Sequence, residues 1–457
     1  MTKLRAFFAI LICKLSRFAC RVLHRGGTDM PGRIAQKICP QLLSILSRET
    51  AVVVVTGTNG KTTCSRMIEE AMTDAGLSPL ANRSGANLSS GITTEFVMNS
   101  TLFGKCKKKY AVIEIDEAAA RRTLGMLQPK VVVVTNLFRD QLDRYGEVTH
   151  TLENIREGIK KAPNALLCLN ADCSLTSSLA DDLPNKAVFF GINKPAAGNH
   201  APSEVSDATH CIRCKTEYEY DYITFAHLGG YRCPKCGYSR RNPDYAVEKI
   251  LATGVDGTAL KVTVKGEERI INVNLPAVYN IYNAIASVAA ANEIGVDICD
   301  TVKALAEFHC GFGRMERFNL GKQGSRMMLV KNPAGCSQVL EYLSEIKDEY
   351  VLVACLNDRG ADGHDISWIY DADFERLKDC PVKKLIVSGD RAYDLAVRFK
   401  YAGISSDIIT VERSYEKIVS GLENCEYPVF LMPTYTAMLE LRQTVVKHVG
   451  GTDFWEG

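Results

Sequence analysis

Two hydrophobic patterns alternate along the chain after residue 50. Runs rich in β-branched residues at 51–55, 110–115, 130–135 and 165–170 predict buried strands, and a helical period over about 62–75 follows the first of them. Strands separated by helical stretches predict a parallel α/β sheet. Residues 206–240 interrupt this rhythm with paired cysteines and many aromatics, and the Ala-rich stretch 277–295 predicts a packed helix. Beyond Gly311-Phe312-Gly313-Arg314, strand-like runs recur at 327–331, 350–356, 384–388 and 429–433. They predict a second α/β domain with its own sheet, over 317–457.

The first fifty residues have a different character. Leu4, Phe7, Leu11, Leu15, Phe18 and Val22 recur at helical spacing, with Lys14, Arg17, Arg21 and Arg25 on another face. The apolar run 6–13 falls far short of the roughly 20 residues that span a bilayer. No small-residue cleavage site follows it, so the segment, 1–38, is expected to be an amphipathic helix and not a signal peptide. Two fates stay open for it: docking on the protein's own core, or peripheral contact with an anionic membrane surface.

Composition narrows the class. At 457 residues the chain is expected to hold two or three domains. A formal net charge of +2, from 55 basic and 53 acidic residues, gives no general reason to bind nucleic acid. An odd total of 17 cysteines argues against a disulfide framework and for a reducing, cytoplasmic setting. Thirteen of them are scattered singly, often within apolar runs, as small hydrophobes. Only Cys211, Cys214, Cys233 and Cys236 pair up, as two Cys-x-x-Cys knuckles separated by eighteen residues. That spacing predicts a closed, structural Zn²⁺ site of four thiolates, with no vacant position for chemistry.

Between the first strand and its helix lies Gly57-Thr58-Asn59-Gly60-Lys61-Thr62-Thr63. A glycine loop in this setting cradles phosphates with backbone N–H groups and a helix N-terminus. Lys61 would reach the β- and γ-phosphates of a bound nucleotide, and the Thr62 hydroxyl would face Mg²⁺. The spacing is shorter than in the common P-loop, with two residues between the glycines.

This loop resembles the ATP loop of the Mur ligase and folylpolyglutamate synthase superfamily. Further stretches resemble the same superfamily in order: Glu114-Ile115-Asp116-Glu117, Thr135-Asn136-Leu137-Phe138-Arg139-Asp140-Gln141-Leu142-Asp143, Asn280-Ile281-Tyr282-Asn283-Ala284, and Gly313-Arg314-Met315-Glu316. The resemblance implies a central ATP-binding domain over 39–316, carrying the four-cysteine insertion, and a C-terminal α/β domain. It implies that Glu114 binds Mg²⁺ with Thr62, that Asn280 and Asn283 lie near adenine, and that Arg314 also serves the nucleotide. Two departures matter. Gln141 stands where many members have a histidine that helps hold a second metal. Only about fifty residues precede the loop strand, too few for the family's usual uridine-nucleotide domain.

The short N-terminus with His24-Arg25-Gly26-Gly27-Thr28, the cysteine insertion and the C-terminal sequence narrow the resemblance to one subgroup of the superfamily. Its members are ligase subunits that amidate the α-carboxyl of D-glutamate in the lipid-linked peptidoglycan stem. The ammonia comes from a separate glutaminase subunit of the GatD type. The resemblance also implies that an aspartate near Asn357-Asp358-Arg359-Gly360-Ala361-Asp362-Gly363-His364-Asp365 completes the partner's Cys–His pair. Asp365 is the first choice, with Asp362 and Asp371 as rivals. No cysteine nucleophile with a supporting histidine is evident in this domain, so glutamine hydrolysis is not expected on this chain alone. The rival readings are a folylpolyglutamate synthase-like or amino-acid-adding ligase and, more remotely, a zinc-ribbon nucleic-acid module with a nucleotide switch.

Overall fold

Three helices, α1 (Thr2–Val22), α2 (Met30–Ile38) and α3 (Leu42–Ser47), lead into the first strand, β1 (Ala51–Thr56). The structure is a computed structural model, and it describes residues 2–22, 27–82, 86–140, 148–193, 207–254, 257–311 and 313–450. It falls into two units, Met1–Leu137 with Val148–Phe308, and Phe138–Glu147 with His309–Gly457. His24 and Gln141 lie outside the described residues.

In the first unit the alternation continues through α4 (Lys61–Asp74), β2 (Leu80–Ala81), α5 (Ser89–Met98), β3 (Tyr110–Glu114), α6 (Glu117–Leu127) and β4 (Val131–Val134). Next come α7 (Val148–Lys160), β5 (Leu166–Asn170), the one-turn α8 (Ser174–Ser177) and β6 (Ala187–Ile192). The hairpin β7 (Glu219–Phe225) and β8 (Leu228–Arg232) forms a small sheet of its own. β9 (Tyr245–Thr253), β10 (Thr258–Val264) and β11 (Glu267–Val273) return to the main sheet, and α9 (Val278–Ile294) and α10 (Ile298–Glu307) close the unit.

The main sheet runs β11-β10-β9-β6-β5-β4-β1-β3-β2 among the described residues. It is parallel from β2 to β9, and antiparallel where β10 joins β9 and β11. Every residue of β4 and the four valines of β1 are buried, as in a parallel sheet covered on both faces. The three-strand antiparallel extension was not among the expected strands. β10 does alternate buried with partly exposed residues, and Lys265 and Gly266 both take positive φ, 47° and 90°, as a two-residue hairpin turn requires.

α1 is helical as expected, and it packs on α2 and α5. Its buried face is made of Ala6, Ala9, Ile10, Cys13 and Cys20. The larger apolar residues of the sequence stripe, Leu4, Leu15, Phe18 and Val22, point away from the core. Small side chains let the helix sit close, and the bulky ones are left outside.

The second unit contains β12 (Arg314–Phe318), β13 (Ser325–Met328), α11 (Pro333–Glu345), β14 (Tyr350–Cys355), β15 (Val382–Ser388), α12 (Ala392–Tyr401), β16 (Ile409–Val411), α13 (Tyr415–Leu422), β17 (Val429–Pro433) and α14 (Tyr435–Val449). Its sheet order is β12-β13-β17-β14-β15-β16, antiparallel only at β12. Within this unit Arg442 of α14 grips Glu316 of β12 in a buried two-pronged ion pair, the shortest approach 2.8 Å. Glu316 also accepts the Gly313 N–H at 2.7 Å, fixing the turn that opens the strand.

Candidate functional site

β1 lies between β3 and β4, so the C-terminal ends of three parallel strands converge, the place where open α/β sheets build sites. The loop leaving β1 is held by the end of β4. Thr58 N donates to Asn136 O at 2.9 Å, Asn59 N to Asn136 Oδ1 at 3.0 Å, and Thr135 Oγ1 to Asn59 O at 2.7 Å. Gly57 and Gly60 both take positive φ, 121° and 85°. A methyl group on Gly57 would lie 2.4 Å from Thr135 Oγ1, and one on Gly60 2.0 Å from Asn283 Oδ1. Glycine is thus required at both positions by conformation and by space.

Lys61 opens α4 and is buried. Its ammonium donates to Gly57 O at 2.6 Å, Thr58 O at 3.2 Å and Glu117 Oε1 at 2.9 Å. Burial opposes its charge, but Glu117 and Glu114 outweigh that and hold its pKa above the ordinary lysine value. Next to it the Thr62 hydroxyl donates to Glu114 Oε2. Asn87 donates to the other carboxylate oxygen of Glu114 at 3.2 Å, and Asn82 exchanges two hydrogen bonds with the Glu114 backbone. Hydroxyl and carboxylate oxygens side by side form the hard donor set that suits Mg²⁺.

Of the residues expected at this site, the structure brings together Gly57 to Thr63, Glu114 and Asn283. Asn280, one turn before Asn283, is buried; it donates its amide to Pro276 O at 2.6 Å and accepts from the Asn283 amide at 3.3 Å. Arg314 belongs to the second unit. Reading the sequence passed over Glu117, Asn136 and Asn87. Glu117 closes the Glu114-Ile115-Asp116-Glu117 stretch, and a buried lysine's need for a counter-charge was the signal that could have singled it out.

The four cysteines also meet. Their sulfur atoms all lie within 4.8 Å of one another, with Cys211–Cys236 at 3.5 Å and Cys214–Cys233 at 3.4 Å. A tetrahedral Zn²⁺ with bonds of about 2.3 Å would hold sulfurs about 3.8 Å apart, so the cluster has the right size. The knuckles repeat one pattern. Lys215 N bonds Cys211 O at 2.9 Å, and Gly237 N bonds Cys233 O at 3.1 Å. Cys214 is drawn down to about 6, first by the Thr216 hydroxyl, whereas Cys236, despite the Tyr238 N–H, is pushed up by burial and by the neighbouring thiols. The insertion is tied to the main sheet by Arg240, whose guanidinium meets the fully buried Asp172 at 2.6 Å. Asp172 in turn accepts from Tyr282, the residue before Asn283, at 2.7 Å.

In the second unit, the loop after β14 carries the three candidate aspartates, and they are placed differently. Asp362 is buried and accepts from both the backbone N–H and the hydroxyl of Thr436 at the start of α14. Asp371 pairs with Arg139 at 2.7 Å. Asp365 is partly exposed, and its pKa is lowered first by the Ser367 hydroxyl and then by the Ser367 N–H, which its carboxylate accepts at 2.8 Å in a local turn. The loop around it is pinned by buried Arg398, which bonds Ile369 O and Ala372 O, both at 2.9 Å.

Residues 55–231 match the Mur ligase middle domain, and residues 329–438 match the MurT ligase C-terminal domain. The lipid II isoglutaminyl synthase (glutamine-hydrolyzing) subunit MurT of Streptococcus pneumoniae is 33% identical over 96% of this chain and 97% of its own length. The chain belongs to the MurT family of Mur ligases. The MurT subunit of Staphylococcus aureus is 34% identical over 98% of this chain and 99% of its own. These MurT relatives are named as subunits, so members of the family work within an assembly. Solved structures agree on the fold. MurF of Acinetobacter baumannii superposes with a TM-score of 0.66 at 15% identity, covering 91% of this chain and 80% of its own. Folylpolyglutamate synthase of Mycobacterium tuberculosis, solved with ADP and AMPPCP, gives 0.60 at 13%, covering 91% and 95%.

Two measurements check these sites. Breaking a buried ion pair costs about 3–5 kcal/mol when one charge is left behind. Glu117→Gln should therefore lower the melting temperature clearly, and an unchanged melting curve would show that Glu117 does not hold the Lys61 charge. Elemental analysis of the purified protein should find one zinc per chain, and Cys233→Ser should lose both zinc and thermal stability. A metal-free protein that melts like the zinc-loaded one would reject the structural-zinc assignment.

Proposed function

We propose that this chain is the ATP-dependent ligase subunit that amidates the α-carboxyl of D-glutamate in the stem peptide of lipid II, giving D-isoglutamine. The near full-length identity to MurT subunits of lipid II isoglutaminyl synthases carries this reading. The Mur ligase family uses ATP and Mg²⁺, and the loop at Gly57 to Thr63, with positive φ at both glycines and Lys61 opening the helix behind it, supports the same reading.

The chemistry sets the tasks. A carboxylate is a poor electrophile, so one of its oxygens attacks the γ-phosphorus of ATP and ADP departs, leaving an acyl phosphate. Ammonia then attacks the acyl carbon, phosphate leaves, and the nitrogen gives up a proton. Lys61 neutralises charge on the transferred phosphoryl group, the main requirement in such transfers. Glu114 and Thr62 would hold Mg²⁺, which would supply positive charge against the phosphates. Asn283, pressed against Gly60, lines the nucleotide side of the loop, with Asn280 behind it. The cysteine cluster would hold Zn²⁺ in a structural role.

Ammonium has no lone pair, so ammonia must be delivered deprotonated and out of water. A GatD-type glutaminase subunit supplies it, and the lipid-linked substrate places the reaction at the inner face of the membrane. Asp365 is the residue offered to that partner. Asp362 is committed to α14 and Asp371 to Arg139, whereas Asp365 is accessible on a pinned loop. Its role would be to orient the partner's catalytic imidazole. Amino-acid-adding Mur ligases are also related in sequence, but at 24–26% identity over at most 75% of this chain, against 33–34% over nearly all of it for the MurT subunits, so no specific observation favours that alternative.

Asp365→Asn should depress glutamine-dependent amidation severely, up to about 10⁴-fold, the scale seen when a triad loses its orienting acid. A high concentration of ammonium salt at alkaline pH should restore amidation in that variant but not in Lys61→Ala, whose defect lies in activating the carboxylate. Full glutamine-dependent activity in Asp365→Asn would remove Asp365 from the partner's site. Failure of both nitrogen sources would place its role in the ligase site or the fold.

A further inference from the structure

The face of α1 turned away from the protein is more apolar than the face that packs on it. Phe18 is 67% exposed, Leu4 63%, Val22 62% and Leu15 58%, and Phe8 and Ile12 continue the stripe. On an ideal helix these six fall within about 120° of arc, opposite the buried face of Ala6, Ala9, Ile10, Cys13 and Cys20. The helix has 21 residues, so the stripe is about 30 Å long. An exposed apolar surface of this length is uncommon on a protein without a partner for it.

Beside it, the segment after α5 adds to the same surface. Phe103 is 92% exposed, and its ring lies 6.1 Å from that of Phe7. Lys14 ties helix and loop together by donating to Ser100 O at 2.6 Å. Charge then distinguishes the occupants. Residues 2–22 contain Lys3, Arg5, Lys14, Arg17 and Arg21 and no acid; residues 101–109 contain four lysines and no acid. Glu95 of α5 is an acid facing α1, and it is partly buried beside Arg17 and Arg21.

We propose that α1 and the Phe103 loop form a surface that lies flat on an anionic phospholipid bilayer. The apolar stripe would sit at the boundary between headgroups and acyl chains, and the flanking lysines and arginines would meet lipid phosphates. A second copy of this chain would bring the same cations face to face, which electrostatics opposes. No helix among the described residues is long and apolar enough to cross a membrane, so the contact is one of surface attachment. It gives the lipid-linked reading of the substrate a physical means of delivery, but it rests on the surface of α1 and not on the ligase chemistry.

Vesicle co-sedimentation of the full-length chain tests this, alone and with its glutaminase subunit. The chain should bind vesicles containing about one-third phosphatidylglycerol, bind pure phosphatidylcholine poorly, and detach as salt screens the charges. The double variant L15E/F18E alters only outward-facing side chains. It should bind at least about tenfold less, with an unchanged melting temperature and unchanged amidation of a detergent-dispersed substrate. Absence of binding to anionic vesicles at low salt would overturn the proposal, as would equal binding by the double variant. It is equally overturned if L15E/F18E abolishes self-association or glutaminase binding while the parent ignores vesicles, because the stripe is then a protein interface. Absence of amidation by the unaltered complex, with its vesicle binding intact, would instead count against the ligase reading, so the two can fail separately.

Discussion

A lysine ammonium taken out of water must find acceptors for all three of its protons, and the architecture of the nucleotide loop follows from that demand. Lys61 finds two of its own loop's carbonyls and the carboxylate of Glu117. Using its own loop's carbonyls as acceptors forces the chain to fold tightly between Gly57 and Gly60, which is why both take a left-handed backbone. The carboxylate comes from the first turn of α6, so β3 must deliver Glu114 and Glu117 to the same end of the sheet as β1. A phosphate arriving at Lys61 would replace acceptors already present, and Glu117 stands in for that negative charge beforehand.

The same economy governs the surroundings of the loop. Asn136 reads the backbone of residues 58 and 59 from the end of β4, and Asn283 fills the space that a side chain at Gly60 would need. Asn283 follows Tyr282, which reaches Asp172, which meets Arg240 just beyond the cysteine knuckles. Helix α9 therefore connects the four-cysteine insertion to the nucleotide loop through named contacts. In the second unit the strand-end loop is organised on like principles. Asp362 caps α14 and Arg398 anchors the turn beyond, so that Asp365 is held in place while remaining accessible.

The parallel core was legible because strands buried on both faces read as unbroken apolar runs, as in residues 131–134. The glycine loop and the cysteine knuckles were legible because each is local and its spacing carries its mechanism. What escaped was non-local. Glu117 matters through a lysine 56 positions earlier, and Asn136 through a loop 77 positions earlier. The α1 stripe was seen, but its direction was not: periodicity locates a helix's apolar face without saying whether the core or the surroundings will cover it. The strands after residue 245 were obscured because β11 is largely exposed and carries Glu267, Glu268 and Arg269.

The central claim is that the loop around Lys61 activates a carboxylate by phosphorylating it. If the substrate's α-carboxyl is labelled with ¹⁸O, one labelled oxygen must leave with phosphate when ammonia takes its place. Mass measurement of the phosphate released during amidation should find that single transferred oxygen. Phosphate free of the label, formed alongside amidated product, would contradict the account.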